Sequence, residues 1–110
     1  MSYSKMTDGE ISVLVGRLEN PMHEVVPHRF NPKGAKIIKR YGQMAHDFGF
    51  FPTHRSEDGF SIIIRNRIAL TPSGKTSWKA SHESGPSASH RNPLRAAMIV
   101  YLMINEGEVL

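Results

Sequence analysis

The sequence has 110 residues and a formal net charge of +4, and 39% of its residues are hydrophobic and 22% charged, a balance typical of one soluble globular domain and not of a disordered chain. Its longest uninterrupted apolar run, Ala96 to Ile104, is far shorter than the ~20 residues that span a bilayer, which argues against a transmembrane helix. The chain contains no cysteine, which excludes disulfides, thiolate metal sites and cysteine nucleophiles.

The first predicted element is a helix that begins at Thr7. Thr7 and Glu10 have the spacing of a capping box, in which each side chain binds the other residue's backbone N–H. Asn20-Pro21 predicts the end of this helix, because proline disfavours helical backbone in the residue before it. The apolar positions in between recur at the spacing of one helix face: Ile11, Leu14, Val15 and Leu18.

The following segment, Pro21 to Phe30, has two prolines and no clear period. We expect a loop or a short edge strand around Val25 and Val26. A second, basic helix is then predicted to begin at Asn31-Pro32 and to continue to about Phe48. Two glycines within it each disfavour a helix interior by about 1 kcal/mol. One side of this helix carries a basic stripe of Lys33, Lys36 and Arg40.

The segment from Ser56 to Arg67 has two interpretations. Its isoleucines favour a strand, whereas its first polar residues can cap a short helix that runs to Asn66. Composition alone leaves both open. Two short runs around Pro72-Ser73-Gly74 then predict a β-hairpin, and the Ser/Gly-rich tract from Ser81 to His90 predicts a loop.

The last predicted element is a helix in which Asn92 provides the N-cap and Pro93 the first turn. It has almost no polar face, so we expect either a central core helix or a helix that shares one face with a second copy or a partner. Its candidate core or interface residues are Leu94, Met98, Ile99, Tyr101, Leu102 and Met103.

No motif predicts catalysis, a metal or a cofactor. The stretch "SGKTS" lacks the first glycine of a phosphate loop, since Ala69 occupies that position, and it fits a hairpin turn better. The six histidines show no metal-site spacing, and no acid–base pair or nucleophile elbow is present. We therefore expect a protein that is not an enzyme.

The charge is unevenly distributed. Residues 28–79 carry ten Lys and Arg against three acids, a local net charge of +7. A basic surface favours a polyanionic or acidic partner, and nucleic-acid binding is therefore an alternative function. The candidate partner or nucleic-acid contacts are Arg29, Lys33, Lys36, Arg40, Arg65 and Arg67.

The order of several motifs resembles a known family. These are "YSKMTDGEISVLVG" near the start, then "FFPTHRSEDGFSIIIRNRIAL", a Trp-x-Ala at residues 78–80, "NPLRAAMIVYLM" and a terminal "GEV". This arrangement resembles the small phage and prophage proteins around NinX of the lambdoid phages, a family without an assigned function. The likeness covers residues 1–19 and about 48–110, and it favours a short helix ending near Asn66.

The resemblance and the residues together predict a small α+β domain spanning residues 1–110, in which residues 20–47 form a family-specific insertion. The expected elements are an N-terminal helix, a basic middle helix, a short antiparallel β-hairpin or sheet, and a C-terminal core helix. We expect core positions for Trp78, Phe50, Phe51, Phe60 and Ile63.

The resemblance also implies a phage or prophage accessory protein. The short apolar runs, the polar N-terminal residues and the lack of cysteine predict that it works in the host bacterial cytoplasm, away from the membrane. We expect it to bind a host or phage protein complex, for example as an inhibitor of a host defence or nuclease complex. Nucleic acid and a second copy of the chain are the alternative partners.

Overall fold

The computed structural model describes residues 2–109, which form an α+β fold, as predicted. They contain a short 3₁₀ turn, four α-helices and six β-strands. In chain order these are the 3₁₀ turn Tyr3–Lys5, α1 Asp8–Glu19, β1 Glu24–Pro27, β2 Ala35–Tyr41, β3 Met44–Phe50, α2 Ser56–Arg65, β4 Ala69–Ser73, β5 Ser77–Ser81, β6 Ser87–His90, α3 Pro93–Ile104 and α4 Glu106–Val109.

The strands form two antiparallel three-stranded sheets, and each has its own helix. Sheet A has the order β1-β2-β3 and packs against α1, while sheet B has the order β4-β5-β6 and packs against α3. Because α3 also contacts α1 and α2, one hydrophobic core joins the two halves. The outline is elongated, about 50 × 27 × 24 Å.

The first helix begins and ends as predicted. Thr7 Oγ1 accepts from the backbone N–H of Glu10 at 3.1 Å, and the Glu10 carboxylate accepts from the backbone N–H of Thr7 at 3.0 Å. These hydrogen bonds hold the pKa of Glu10 below its usual value, with the bond to the Thr7 backbone contributing most. Ile11 and Val15 are completely buried against sheet A and the core.

The predicted basic middle helix is wrong, because residues 35–50 form the β2–β3 hairpin. Its two-residue loop begins at Gly42, whose φ of 63° suits the first central position of a type II′ turn. Gly34 is also incompatible with a larger residue, since a Cβ there would lie 2.2 Å from the Phe51 ring. The two glycines that weaken a helix therefore have specific roles, Gly42 in the turn of the hairpin and Gly34 directly before β2. The strand β1 is the short edge strand expected around Val25 and Val26.

The segment that was open between helix and strand is helical, as the resemblance favoured. Glu57 and Asp58 occupy the first turn of α2, where carboxylates are favoured. Asp58 also accepts a hydrogen bond from the Phe51 backbone N–H at 2.9 Å, which ties the start of α2 to the end of β3. Ile62 and Ile63 are buried in the core, so tertiary packing outweighs their β propensity.

Sheet B contains the predicted hairpin and one strand that was not expected. The β4–β5 hairpin turns at Gly74, which has a φ of 71°. The predicted loop Ser81–His90 is instead a turn followed by β6, which is the third strand of sheet B. The turn closes with a hydrogen bond from His82 N–H to the Pro86 carbonyl at 3.0 Å, and the small Ala88 lies opposite the buried Ala80 in the β5–β6 register.

The predicted core is partly correct. Phe50, Phe51 and Ile63 are buried, but Trp78 is 37% exposed and Phe60 is 56% exposed. Trp78 lies near the start of β5, the middle strand of sheet B, where it pairs with Pro72 of β4 and His90 of β6. Because its side chain is partly exposed there, it does not anchor the core. Phe60 points away from the core on α2.

Candidate interaction surface

The apolar α3 helix is covered within one copy of the protein. The Asn92 side chain accepts from the backbone N–H groups of Leu94 and Arg95 at 2.9 and 3.3 Å, which is the predicted N-cap. Sheet B, α1 and α2 surround the helix. Of its six candidate residues, Met98, Ile99, Tyr101 and Leu102 are buried, and Leu94 and Met103 are half-buried. Those residues therefore form the core, as the first of the two interpretations predicted.

The six predicted basic contacts do not form one patch, since the helix that would have aligned three of them does not exist. Lys36 and Arg40 do share a face of β2, but each is paired with an acid. Lys36 Nζ lies 3.0 Å from Asp47, and Arg40 Nη2 lies 3.3 Å from Glu24. This outer face of sheet A is therefore locally neutralised.

Of the remaining four basic residues, Arg29 lines a pocket together with Lys36, whereas Arg65 and Arg67 lie at and just after the end of α2. Arg29 and Lys33 lie in the loop between β1 and β2, and the Arg29 guanidinium stacks 5.5 Å from the Phe30 ring. Arg65 donates to Glu19 at 2.6 Å, and this hydrogen bond raises the pKa of Arg65. Arg67 follows α2 with a φ of 55°.

Glu19 connects three helices. Besides the hydrogen bond from Arg65 on α2, its carboxylate accepts one from the Tyr101 hydroxyl on α3 at 2.6 Å. Burial, and then the Glu19 carboxylate, raise the pKa of the Tyr101 phenol. This acid therefore stabilises the packing of α1 against its two neighbours.

A second polar cluster surrounds Arg95, which is buried at the start of α3. Its guanidinium donates to the Asp8 carboxylate and to the carbonyls of Ser4 and Met6. Asn92 adds a hydrogen bond from Nδ2 to the Thr53 carbonyl at 2.6 Å. The cluster fastens the N-terminal segment and the loop before α2 onto α3.

Asp8, His54 and Thr53 in this cluster resemble a catalytic triad only in composition. His54 Nδ1 lies 2.8 Å from Thr53 Oγ1, and Nε2 lies 3.8 Å from Asp8 Oδ2. Thr53 has no exposed surface, so a substrate cannot reach its hydroxyl in this conformation. The geometry fits a structural network.

The outer side of α2 carries two exposed apolar side chains. Phe60 and Ile64 lie four residues apart and are 56% and 60% exposed, so their side chains are neighbours on one side of the helix. Together with Glu57, Ser61 and Arg65 they form a shallow surface, which we call the α2 face. The helical spacing places this pair on the side opposite to the buried Ile62 and Ile63.

The end of the β2–β3 hairpin, residues 39–48, is the second exposed feature. Its strand residues from Met44 to Phe48 are exposed on both faces. Lys39, Tyr41, His46 and Phe48 lie on the same face of sheet A that packs against α1 at the other end of the hairpin. On this face the Lys39 ammonium lies 5.2 Å from the centre of the Phe48 ring, and the ring centres of Tyr41 and His46 lie 6.1 Å apart. A cleft of about 230 Å³ separates Phe48 from Glu57 and Ser61 of the α2 face.

Within residues 2–109, no three His, Asp or Glu side chains are grouped to hold a metal ion. In the same range, no helix has the length and apolar character to cross a membrane.

Comparison with known proteins identifies the family. The family model described as "Bacteriophage P22, NinX" matches residues 2–105, which is nearly the whole chain. No curated protein matches the sequence. With its Asn-capped core helix and the motifs noted above, the chain belongs to the phage NinX family.

Proposed function

We propose that this protein is a non-enzymatic phage accessory protein that binds a host or phage protein through the α2 face. The observation that carries the proposal is the exposure of Phe60 and Ile64, 56% and 60%, side by side on one helix. Adjacent exposed apolar side chains of this size on a small soluble domain are typical of a protein-binding site. Their solvent-facing position costs free energy that binding would recover.

The polar residues around this pair support a protein partner. Glu57 and Arg65 carry opposite charges at the two ends of the α2 face. An apolar centre with a charged rim is the usual anatomy of a protein–protein interface. Arg65 is also held in place by Glu19 at 2.6 Å, so little side-chain entropy is lost when a partner binds there.

Inhibition of a host defence or nuclease complex is the concrete activity that we propose for this binding. Membership of a phage family supports it, because a phage protein works among host proteins. The proposed place of action is the host bacterial cytoplasm.

A pull-down from infected host lysate tests the proposal. The tagged wild-type protein should retain a specific host or phage protein, and the Phe60→Ser/Ile64→Ser variant should lose it by at least about tenfold. Met22→Ser is the matched control, because Met22 is 88% exposed and is not among the residues that form the α2 face. Retention of the same partner by the double variant would contradict the assignment of the α2 face, and turnover of a nucleotide or nucleic acid by the pure protein would contradict a non-enzymatic role.

Nucleic acid is the second candidate partner, favoured by one observation. The face of the hairpin that carries Lys39, Tyr41, His46 and Phe48 has no carboxylate on β2 or β3. Aromatic rings beside cations can stack with unpaired bases while the cation meets phosphate. Fluorescence anisotropy with a single-stranded oligonucleotide at low salt should then show binding that weakens steeply with salt and is lost in Lys39→Glu. Lys36→Glu, on the opposite face, should retain it.

A further inference from the structure

We propose that β3 is the edge through which two copies of this protein pair, forming a continuous six-stranded sheet from two copies of sheet A. This inference is independent of the α2 face. It begins from the four free strand edges of the two sheets in residues 2–109. An edge strand presents unpaired N–H and C=O groups that can pair with another chain, and proteins usually protect such edges with prolines, short strands or lysines.

Three of these edges have such protection. β1 and β6 are only four residues long, and β1 ends at Pro27. β4 contains Pro72. β3 is seven residues long and contains neither proline nor lysine. Its single acid, Asp47, is already paired with Lys36 at 3.0 Å.

The β3 residues from Met44 to Phe48 are exposed to solvent, and the β1–β2 loop approaches the C-terminal end of the strand, where Arg29 and Phe30 line a pocket with Asp47, Phe48 and Gly49. Met44 and Phe48 are 66% and 42% exposed, and all residues between them are exposed. Tyr41 and Met44 flank the two-residue turn, so they form the hydrogen-bonded pair that closes the hairpin. Because such pairs alternate along an antiparallel ladder, Ala45 and Asp47 direct their N–H and C=O groups away from β2.

The sequence of β3 is complementary to itself. If two copies pair antiparallel about His46, Met44 of each copy lies opposite Phe48 of the other. Ala45 lies opposite Asp47, and the four outward N–H groups of these two residues in the two copies all find carbonyl partners. The apolar faces of both sheets then lie on the same side.

Neighbouring registers are worse. A shift of the pairing by one residue places the apolar face of one copy beside the polar face of the other. Moving the symmetry centre from His46 to Asp47 sets two carboxylates directly opposite each other, which is destabilising. The complementarity of the register centred on His46 favours a second copy over an unrelated strand as the occupant of this edge.

Single cysteines introduced into the cysteine-free chain test the register. About the proposed centre, residue 46 faces its own copy in a non-hydrogen-bonded pair with Cα atoms about 4.5 Å apart, within disulfide range. Residue 43 of one copy lies six positions, about 20 Å along the strand, from residue 43 of the second copy. Mild oxidation should therefore give a covalent dimer of His46→Cys at least about tenfold faster than of Gln43→Cys. Equal rates, or faster coupling through residue 43, would overturn the register.

Sedimentation velocity over a range of concentrations tests the edge itself. The wild type should approach twice its monomer mass of 12.4 kDa, as should Ala45→Ser, whereas Ala45→Pro should remain a monomer. Proline at position 45 removes a donor that faces away from β2, so the hairpin ladder is preserved, and circular dichroism checks that it is. The proposal is overturned by a wild type that stays monomeric at the highest concentration. It is equally overturned if folded Ala45→Pro dimerises like the wild type, or if Phe60→Ser/Ile64→Ser alone abolishes the dimer.

Discussion

Arg95 and Asp8 are 87 positions apart in the sequence and form an ion pair in which Arg95 Nη1 donates to Asp8 Oδ1 at 2.6 Å. The Arg95 side chain is 9% exposed and that of Asp8 is 25% exposed. The same guanidinium donates to the carbonyls of Ser4 and Met6 at 3.2 and 2.7 Å. One buried cation thus holds the N-terminal segment against the core helix.

Removing the acid should be costly. Asp8→Ala leaves the Arg95 charge buried without a counter-ion, a change that costs about 3–5 kcal/mol for a fully buried pair. Since Asp8 is partly exposed, we expect a loss of about 2–3 kcal/mol in the free energy of unfolding, measured by urea denaturation. Asp47→Ala is the matched control, because it breaks an exposed pair with Lys36 and should cost less than about 1 kcal/mol. Equal losses for the two variants would contradict the role assigned to Asp8.

The Tyr101 hydroxyl should contribute through Glu19. Tyr101→Phe removes a 2.6 Å hydrogen bond to a carboxylate that Arg65 still holds. We expect a loss of about 1.5 kcal/mol in the free energy of unfolding. Tyr41→Phe, at an exposed position on the hairpin, should change it by less than about 0.5 kcal/mol. If the two tyrosine variants have the same stability, the bridge between the helices contributes nothing measurable.

Gly34 should not tolerate a methyl group. A Cβ at this position would lie 2.2 Å from Phe51 Cε1, and the buried ring cannot move without disturbing the core. We expect Gly34→Ala to lower the free energy of unfolding by about 1–3 kcal/mol, as overpacking does. Gly107→Ala is the control, since a Cβ there meets nothing within 4 Å and a helical alanine is favoured. A Gly34→Ala protein with wild-type thermal stability would show that the ring packs differently.

His90 should make the protein less stable in mild acid. Burial, and then the nearby Arg95 charge, lower the pKa of His90 below its ordinary value of 6.5, and its Nδ1 accepts from the Asn92 backbone N–H at 2.9 Å. The unfolded chain therefore takes up the proton first as the pH falls. The stability that comes from keeping His90 neutral is therefore present above pH 6.5. It is lost as the pH falls from 6.5 through the lower pKa of His90 in the folded protein.

Urea denaturation between about pH 5 and 8 tests this expectation. The free energy of unfolding of the wild type should decrease on acidification through that window, and His90→Gln should show a smaller decrease. If the two pH profiles are parallel, His90 does not cause the effect.

The candidate surface was only partly predictable. The basic residues were visible in the sequence, but their neutralisation was not, since Asp47 and Glu24 become neighbours of Lys36 and Arg40 only through strand pairing. Phe60 was predicted in the core, and its exposure beside Ile64 depends on how α2 packs, with Ile62 and Ile63 facing inwards. The strand Ser87–His90 could not be recognised in the sequence because it contains no large apolar side chain, and it becomes a strand only through pairing with β5.

The sequence by itself determined the two long helices and the family. Thr7 with Glu10, and Asn92 with Pro93, act through hydrogen bonds and backbone preferences that extend over three or four residues, so their effect can be read without the fold. The tertiary structure decided the middle of the chain. Residues 35–50 carry a pattern that fits a helix or a hairpin, and the pairing of β2 with β1 and β3 selects the hairpin. Pairing between strands and packing against α1 depend on residues distant in sequence, which local patterns do not encode.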